Sequence, residues 1–288
     1  MMSISYFAEC TALITGASAG IGREFARQLA PVVNTMILVA RRNDRLEALE
    51  LELRIINPRL EVFCRQLDLR DHAELERFCD WLDESGLSVD LLVNNAGLGD
   101  RGTFIDSDWE RLHAMLQVNI AALTYLTYRI LPNMRKSGCG AILNVSSAAS
   151  FVPMPNFAVY AATKAYVTSF SEALRAELRN SNISVTALCP GPVPTEFEDV
   201  ASRVPQGYAP PMAELFTVSV QEVVRRALQA VSRDQACVIP GTLVNLAMTA
   251  IVFIPMFLKR LVLNAQAARD KASLSTPTPR DYEISGMV

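Results

Sequence analysis

A strand-to-helix junction near the start of the chain constrains its fold more than any other feature. Ala12-Leu13-Ile14 is an apolar run of the kind that forms a parallel strand covered on both faces. It leads into Thr15-Gly16-Ala17-Ser18-Ala19-Gly20-Ile21-Gly22, and a helical stretch, Arg23 to Ala30, follows. Glycine lets a backbone approach a pyrophosphate because it carries no Cβ, and a helix N-terminus supplies N–H groups and a dipole that favour an anion. The spacing is Gly-x3-Gly-x-Gly rather than Gly-x-Gly-x2-Gly, so the run by itself also suits a plain tight turn.

The alternation continues along the chain. Thr35 to Ala40, Leu60 to Cys64, Asp90 to Asn94, Ala141 to Ser146, Ile183 to Leu188 and Ala236 to Ile239 read as strands. Arg45 to Ile56, Asp71 to Leu82, Ala158 to Asn180 and Gln221 to Val231 read as helices. This order predicts an α/β fold, a Rossmann-like doubly wound parallel sheet with helices on both faces in a single domain. Ligands of such sheets bind beyond the carboxyl ends of the strands. The expected domain spans 1–268, with an apolar helical segment at 241–263; residues 269–288 contain Ser-Thr-Pro-Thr-Pro and read as a disordered tail.

Tyr160 and Lys164 stand one helical turn apart, so a phenol and an ammonium project from one face. A phenol titrates near pH 10, and a neighbouring cation pulls that value down toward useful acid/base chemistry. For the pair alone, a surface Lys beside a half-buried Tyr is the simpler reading. Other landmarks accompany it. Asn94-Asn95-Ala96-Gly97 follows the apolar run Leu91-Leu92-Val93, and Asn119 lies midway along the next helical stretch. Asn144-Val145-Ser146-Ser147 closes a strand, and Pro190-Gly191-Pro192-Val193-Pro194-Thr195 follows another.

In this order and spacing the five motifs resemble the short-chain dehydrogenase/reductase family over roughly residues 8–240, and an NADP-preferring, carbonyl reductase-like member within it. Ser150 departs from the pattern, since family members often carry Gly there. The resemblance implies hydride transfer between NADP(H) and a carbonyl or alcohol. Ser147 is then expected to hold the carbonyl oxygen, and Tyr160 to exchange the proton. Lys164 lowers the Tyr pKa and binds the nicotinamide ribose, and Asn119 holds a relay water. It also implies that Asp68, beside Leu69, contacts adenine, that Asn95, Ala96, Gly97 and Val118 flank the nucleotide, and that Pro190, Gly191, Val193 and Thr195 border the nicotinamide. Gly16, Ser18, Gly20, Ile21 and Gly22 form the phosphate loop in this reading. Ser147 is preferred over Ser146 because its separation from Tyr160 matches the family and adjacent strand residues face opposite ways.

The end of the second strand selects the cofactor. An NAD site places an acidic residue there to hold the ribose hydroxyls. Here Arg41 and Arg42 follow Ala40, and Asp44 comes later in the helix. Guanidinium suits a 2′-phosphate, and Ser18 can add a hydroxyl, so NADP(H) is expected. The other reading of the two arginines is an ordinary solvated helix entry.

Net charge is −3, with a pI of about 5.6 and no basic stripe, which argues against nucleic acid. Cys10, Cys64, Cys79, Cys139, Cys189 and Cys237 form no CxxC, so no metal and no disulfide framework is expected and a cytoplasmic setting fits. His72 and His113 lie in polar helical surroundings and read as solvated. The first ten residues lack the basic and apolar regions of a signal peptide.

Phe151, Met154 and Phe157, and then Phe197, Tyr208, Met212, Leu215 and Phe216, offer apolar walls for a substrate. Local packing is an equal reading of these side chains. Gly241 to Leu258 contains no charge and ends in Lys259-Arg260. It is expected to be buried at an interface of a homo-oligomer, dimer or tetramer, or over the substrate pocket, with peripheral membrane contact as the alternative. The expected function is NADPH-dependent reduction of an apolar ketone or 3-oxoacyl substrate. An alcohol dehydrogenase for lipid- or steroid-like alcohols and a non-catalytic NADP-binding sensor or scaffold are the competing readings.

Overall fold

Every residue of Thr35–Ala40 is buried, as a strand with helices on both faces requires. The computed structural model describes residues 4–202, 216–261, 263 and 264. Seven parallel strands form one sheet: β1 (Thr11–Thr15), β2 (Thr35–Ala40), β3 (Glu61–Gln66), β4 (Leu91–Asn94), β5 (Gly140–Val145), β6 (Ile183–Leu188) and β7 (Cys237–Val238). Their order is β3-β2-β1-β4-β5-β6-β7. The winding reverses between β1 and β4, which opens a crevice at the carboxyl ends of those two strands.

The helices named among the described residues are α1 (Gly20–Leu29), α2 (Asn43–Ile56), α3 (His72–Glu84), α4 (Trp109–Leu116), α5 (Leu123–Ser137), α6 (Ala158–Glu177), α7 (Glu196–Ala201), α8 (Val220–Ser232) and α9 (Thr242–Phe253). Alternate strand residues feed opposite cores. Ala12, Ile14, Met36, Leu38, Val93 and Leu143 pack with Phe25 and Leu29 of α1 and Val223 and Val224 of α8. Leu13, Ile37, Val39, Leu92, Ile142 and Val185 pack with Leu126 and Ile130 of α5 and Leu174 of α6. The period of two in the strands thus places one apolar set on each face.

A buried polar chain ties the helix carrying Tyr160 to the sheet. Asn94 Nδ2 donates to Thr127 Oγ1 at 3.1 Å and to Asn144 Oδ1 at 2.9 Å. Asn144 Nδ2 donates to Ser171 Oγ on α6 at 2.9 Å. Asn144 is fully buried, so no water can replace these bonds. Asn144→Ala is expected to lower stability by about 1–3 kcal/mol for each group left unpaired. Urea unfolding of the variant tests this, and an unchanged midpoint contradicts it.

The sequence boundaries hold within three residues, with physical reasons for the differences. Leu60 belongs to the turn before β3, where its N–H donates to Asn57 O at 3.0 Å. β7 pairs with β6 only through Cys237 and Val238, so Ala236 and Ile239 fall outside it. α6 ends at Glu177, and residues 179–182 turn toward β6, with Asn182 at φ 52°. Asn119 sits in a π-helical turn, Gln117–Ala122, between α4 and α5. The expected helical segment 241–263 is broken in two. Ile254, which precedes Pro255, is extended (φ −75°, ψ 121°), and a second helical run covers 256–261. A residue before proline is sterically pushed out of the α region. The expected tail, 269–288, lies outside the described residues.

Candidate active site

The nucleotide loop turns tightly because its glycines leave no room for a side chain. A Cβ on Gly22 would lie 2.3 Å from the Gly16 carbonyl oxygen, and one on Gly16 would lie 2.9 Å from Ala96 Cα. Gly16 and Gly20 also take left-handed backbone, with φ of 66° and 52°. Asn95 locks this loop to β4: its Nδ2 donates to Thr15 O at 2.8 Å and to Gly16 O at 3.3 Å. Thr15 Oγ1 accepts the N–H groups of Asn95 and Ala96. No side chain caps α1, so the N–H groups at its start face the crevice without an internal acceptor. Ile21 and the buried Val118 stand nearby, at the start of α1 and in the π-helical turn.

Arg41, Arg42, Gln66, Asp68, Arg70 and Glu74 line one open cleft beyond the ends of β2 and β3. Arg42 reaches Ser18 Oγ from Nε and Nη2, at 3.4 and 3.3 Å. Arg70 clasps Asp68 through both carboxylate oxygens and holds its carboxyl below the usual range. Leu69 is buried beneath. The donor set, guanidiniums flanking a hydroxyl and an uncapped helix, fits a dinucleotide carrying a 2′-phosphate. Sequence reasoning missed Arg70 and also Glu196. The carboxylate of Glu196 accepts from Arg42 at 3.0 Å and from Arg45 at 2.6 Å. An acidic residue directly after Thr195 was the only local signal.

Tyr160, Lys164 and Ser147 converge at the ends of β5 and α6. Tyr160 is buried, with its ring stacked on Phe157 at 4.3 Å and tilted against Phe197 at 5.5 Å. Burial pushes its phenol up to about 12; a hydrogen bond from the Ser147 side opposes this, and the Glu198 charge adds to it. Ser147 Oγ accepts the Ala149 N–H at 3.1 Å and caps a short 3₁₀ turn, Ala148–Phe151. Ser146 faces inward, donating to Lys164 O at 2.8 Å and pairing with Thr168 Oγ1 at 2.7 Å.

Lys164 corrects one expectation. Its Nζ donates to Val145 O at 2.8 Å and lies 5.7 Å from the Tyr160 ring centroid. The Tyr phenol is raised rather than lowered, because desolvation by burial is the largest influence on it. Burial lowers the ammonium itself to about 8. Asn119 is spent on its neighbours: Oδ1 accepts Leu98 N–H at 2.8 Å, and Nδ2 donates to Leu98 O and Thr163 Oγ1, both at 2.9 Å. Lys164 Nζ and Asn119 Oδ1 both face the bare side of Gly97, at 3.4 and 3.5 Å from where a Cβ would stand.

The segment after β6 closes over this site. Pro190 and Val193 are buried, Gly191 packs on Val244, and the Thr195 methyl lies 3.2 Å from where a Cβ on Gly20 would stand. Phe151 and Phe216 are half-buried and Met154 is at the surface. Tyr208, Met212 and Leu215 lie outside the described residues. Cys189 and Cys237 are 48 residues apart in sequence, yet their sulfurs meet at 3.7 Å across β6 and β7.

A family model described as short chain dehydrogenase matches residues 10–204. Sulfoacetaldehyde reductase 2 of Chromohalobacter salexigens is 39% identical over 190 residues, covering 64% of this chain and 73% of that protein. An NADP-dependent 3-hydroxy acid dehydrogenase of Escherichia coli is 36% identical over 202 residues, covering 68% of this chain and 78% of that protein. Among solved structures, a short-chain dehydrogenase from Sphingobium yanoikuyae in complex with NADPH superposes with a TM-score of 0.74 at 30% identity, covering 94% of this chain and 99% of that one. A bulky-bulky ketone specific alcohol dehydrogenase from Comamonas testosteroni gives 0.70 at 26% identity, covering 94% and 98%. The glycine loop, the seven-stranded parallel sheet and a family match across most of the chain point one way: this protein belongs to the short-chain dehydrogenase/reductase family, oxidoreductases of CH–OH and C=O groups.

Proposed function

We propose that this chain is an NADPH-dependent reductase of apolar ketones, using Tyr160 as general acid. The observation that carries this reading is Tyr160 itself, a buried phenol held protonated between Phe157 and Phe197, beside the Ser147 hydroxyl. NADP(H) as cofactor is supported by the arginine-lined cleft and by relatives that are NADP-dependent or hold NADPH. When bound, the cofactor supplies the hydride.

The chain's own residues do the rest. Ser147 holds the substrate oxygen, and Tyr160 gives it a proton. A phenol raised to about 12 carries its proton at neutral pH, the form from which it can donate to a carbonyl oxygen. Lys164 and Asn119 position the groups around Gly97 and the 98 backbone. Phe157 and Phe197 exclude water and present apolar surface, so a bulky apolar ketone is the substrate class we infer. The Comamonas relative, specific for bulky-bulky ketones, supports the same class.

We assign the catalytic domain to 1–268. A homo-oligomer, dimer or tetramer, is part of the reading, and exposed Tyr128 and Tyr166 on α5 and α6 offer surface for it. Incubation of the purified protein with NADPH and a panel of aryl, alicyclic and 3-oxoacyl ketones tests the proposal; turnover confined to small polar aldehydes contradicts the substrate class.

The charge on Lys164 adds a pH signature. With its pKa near 8, the ammonium is charged below that pH and neutral above it. The kcat/KM for reduction is expected to be level through neutrality and to fall as pH rises past about 8. A profile level to pH of about 10, the range of an ordinary lysine, would separate that charge from catalysis.

A further inference from the structure

Chemistry and exposure are most at odds in the C-terminal helices. Of the twelve residues of α9 only Val244 is buried, where it packs beside Gly191 and Gly241. Leu246 and Phe253 are 71% and 81% exposed, and Leu243 and Val252 are exposed as well. Beyond the break at Pro255, Met256, Phe257, Leu258 and Leu261 are also exposed. The expectation that protein buries this run is therefore not met within one chain. Soluble surfaces rarely carry so continuous an apolar patch without a partner.

Two candidate partners are a second copy and a lipid surface. Three observations favour lipid. Met256, Phe257 and Leu258 are consecutive in a helical run, so they splay over more than half its circumference, and a flat protein interface meets only one side. Charge is the second. Between Asp234 and Asp270 the chain has no acidic residue, and its only charges are Lys259, Arg260 and Arg269. A chain of net charge −3 thus concentrates an acid-free, cationic, apolar stretch at one place. The third is that, past Thr242 at its first position, the two polar side chains of α9 pair with each other: Thr249 Oγ1 donates to Asn245 Oδ1 at 3.3 Å. That pairing reduces the cost of removing them from water.

We propose that α9 and the 256–261 helix dock on the surface of an anionic bilayer. The apolar side chains enter the headgroup boundary, and Lys259 and Arg260 reach the lipid phosphates along their own aliphatic stems. The helices lie in the interface and do not cross. α9 has 12 residues, about 18 Å at 1.5 Å per residue, and no helix among the described residues is long and apolar enough to span. Val244 places this face against Gly191, beside the loop that closes over Tyr160. An apolar substrate dissolved in the bilayer would then enter from the docked side.

Flotation of the full chain with phosphatidylcholine vesicles, with and without phosphatidylglycerol, tests the proposal. Binding is expected with the anionic vesicles, about tenfold or more stronger than with neutral ones, a preference of the size two surface cations give. High salt should weaken it without abolishing it, and detergent should release the protein. The Phe253→Glu/Phe257→Glu variant should lose vesicle binding while keeping its circular dichroism and its NADPH turnover with a water-soluble ketone. Absence of vesicle binding overturns the proposal, whether light scattering then shows a monomer or an oligomer that the same variant dissociates. Equal binding of wild type and variant overturns it as well.

Discussion

Tyr160→Phe is expected to lower ketone reduction by about 10²–10⁴-fold, the usual worth of a positioned general acid. The ring would stay. Phe157 stacks on it and Phe197 tilts against it, and a phenyl group keeps both contacts. Only the hydroxyl is lost, and with it the proton for the carbonyl oxygen. No other nearby donor replaces it. The Ser147 hydroxyl is a far weaker acid than a phenol, and Lys164 Nζ donates to Val145 O. NADPH affinity should hold within a few-fold, because the arginine cleft beyond β2 and β3 is untouched. A variant retaining near-normal kcat would remove Tyr160 from the chemistry.

Replacing Arg41 and Arg42 together by Ala is expected to raise the KM for NADPH by at least about tenfold and to leave NADH much less affected. A hydrogen bond to a charged group contributes roughly 1.5–3 kcal/mol, and about 1.4 kcal/mol is a factor of ten. The effect should stay near the lower end for Arg42. In the free protein its guanidinium already rests on Glu196, so the phosphate exchanges one acidic partner for another. Arg41 lines the same cleft with no ion pair to Glu196 and should carry the larger share. Steady-state kinetics with both cofactors decide this, and a wild-type preference for NADH would contradict the assignment of the cleft.

Most of the fold could be read from local patterns. β2 and β6 match the sequence reading to the residue; both are buried throughout, β2 as a run apolar after Thr35 and β6 with Ser184 and Thr186 among its apolar residues. The glycine loop, Asn95, Ser147, Tyr160 and Lys164 are legible through the family motifs they match, and the local pattern adds that each lies at or just after a strand end or on one helix face. What was not legible depends on contacts across the topology. Glu196 meets Arg42 across 154 residues, a pairing that no local pattern encodes. The Lys164 side chain donates to the Val145 carbonyl, and the sign of the Tyr160 shift is set by burial; both depend on tertiary packing. The uncharged run after β7 could be seen, but its exposure could not, because exposure depends on what the rest of the chain packs against it.

The central claim is that this crevice is a working reductase site rather than a nucleotide-binding scaffold. Parallel measurement of NADPH binding by fluorescence and of NADPH consumption with a bulky apolar ketone tests it most directly. The account predicts that wild type does both and that Tyr160→Phe binds NADPH but leaves it unconsumed. NADPH binding by wild type with no consumption across ketones, and no NADP-dependent oxidation across the matching alcohols, would contradict it.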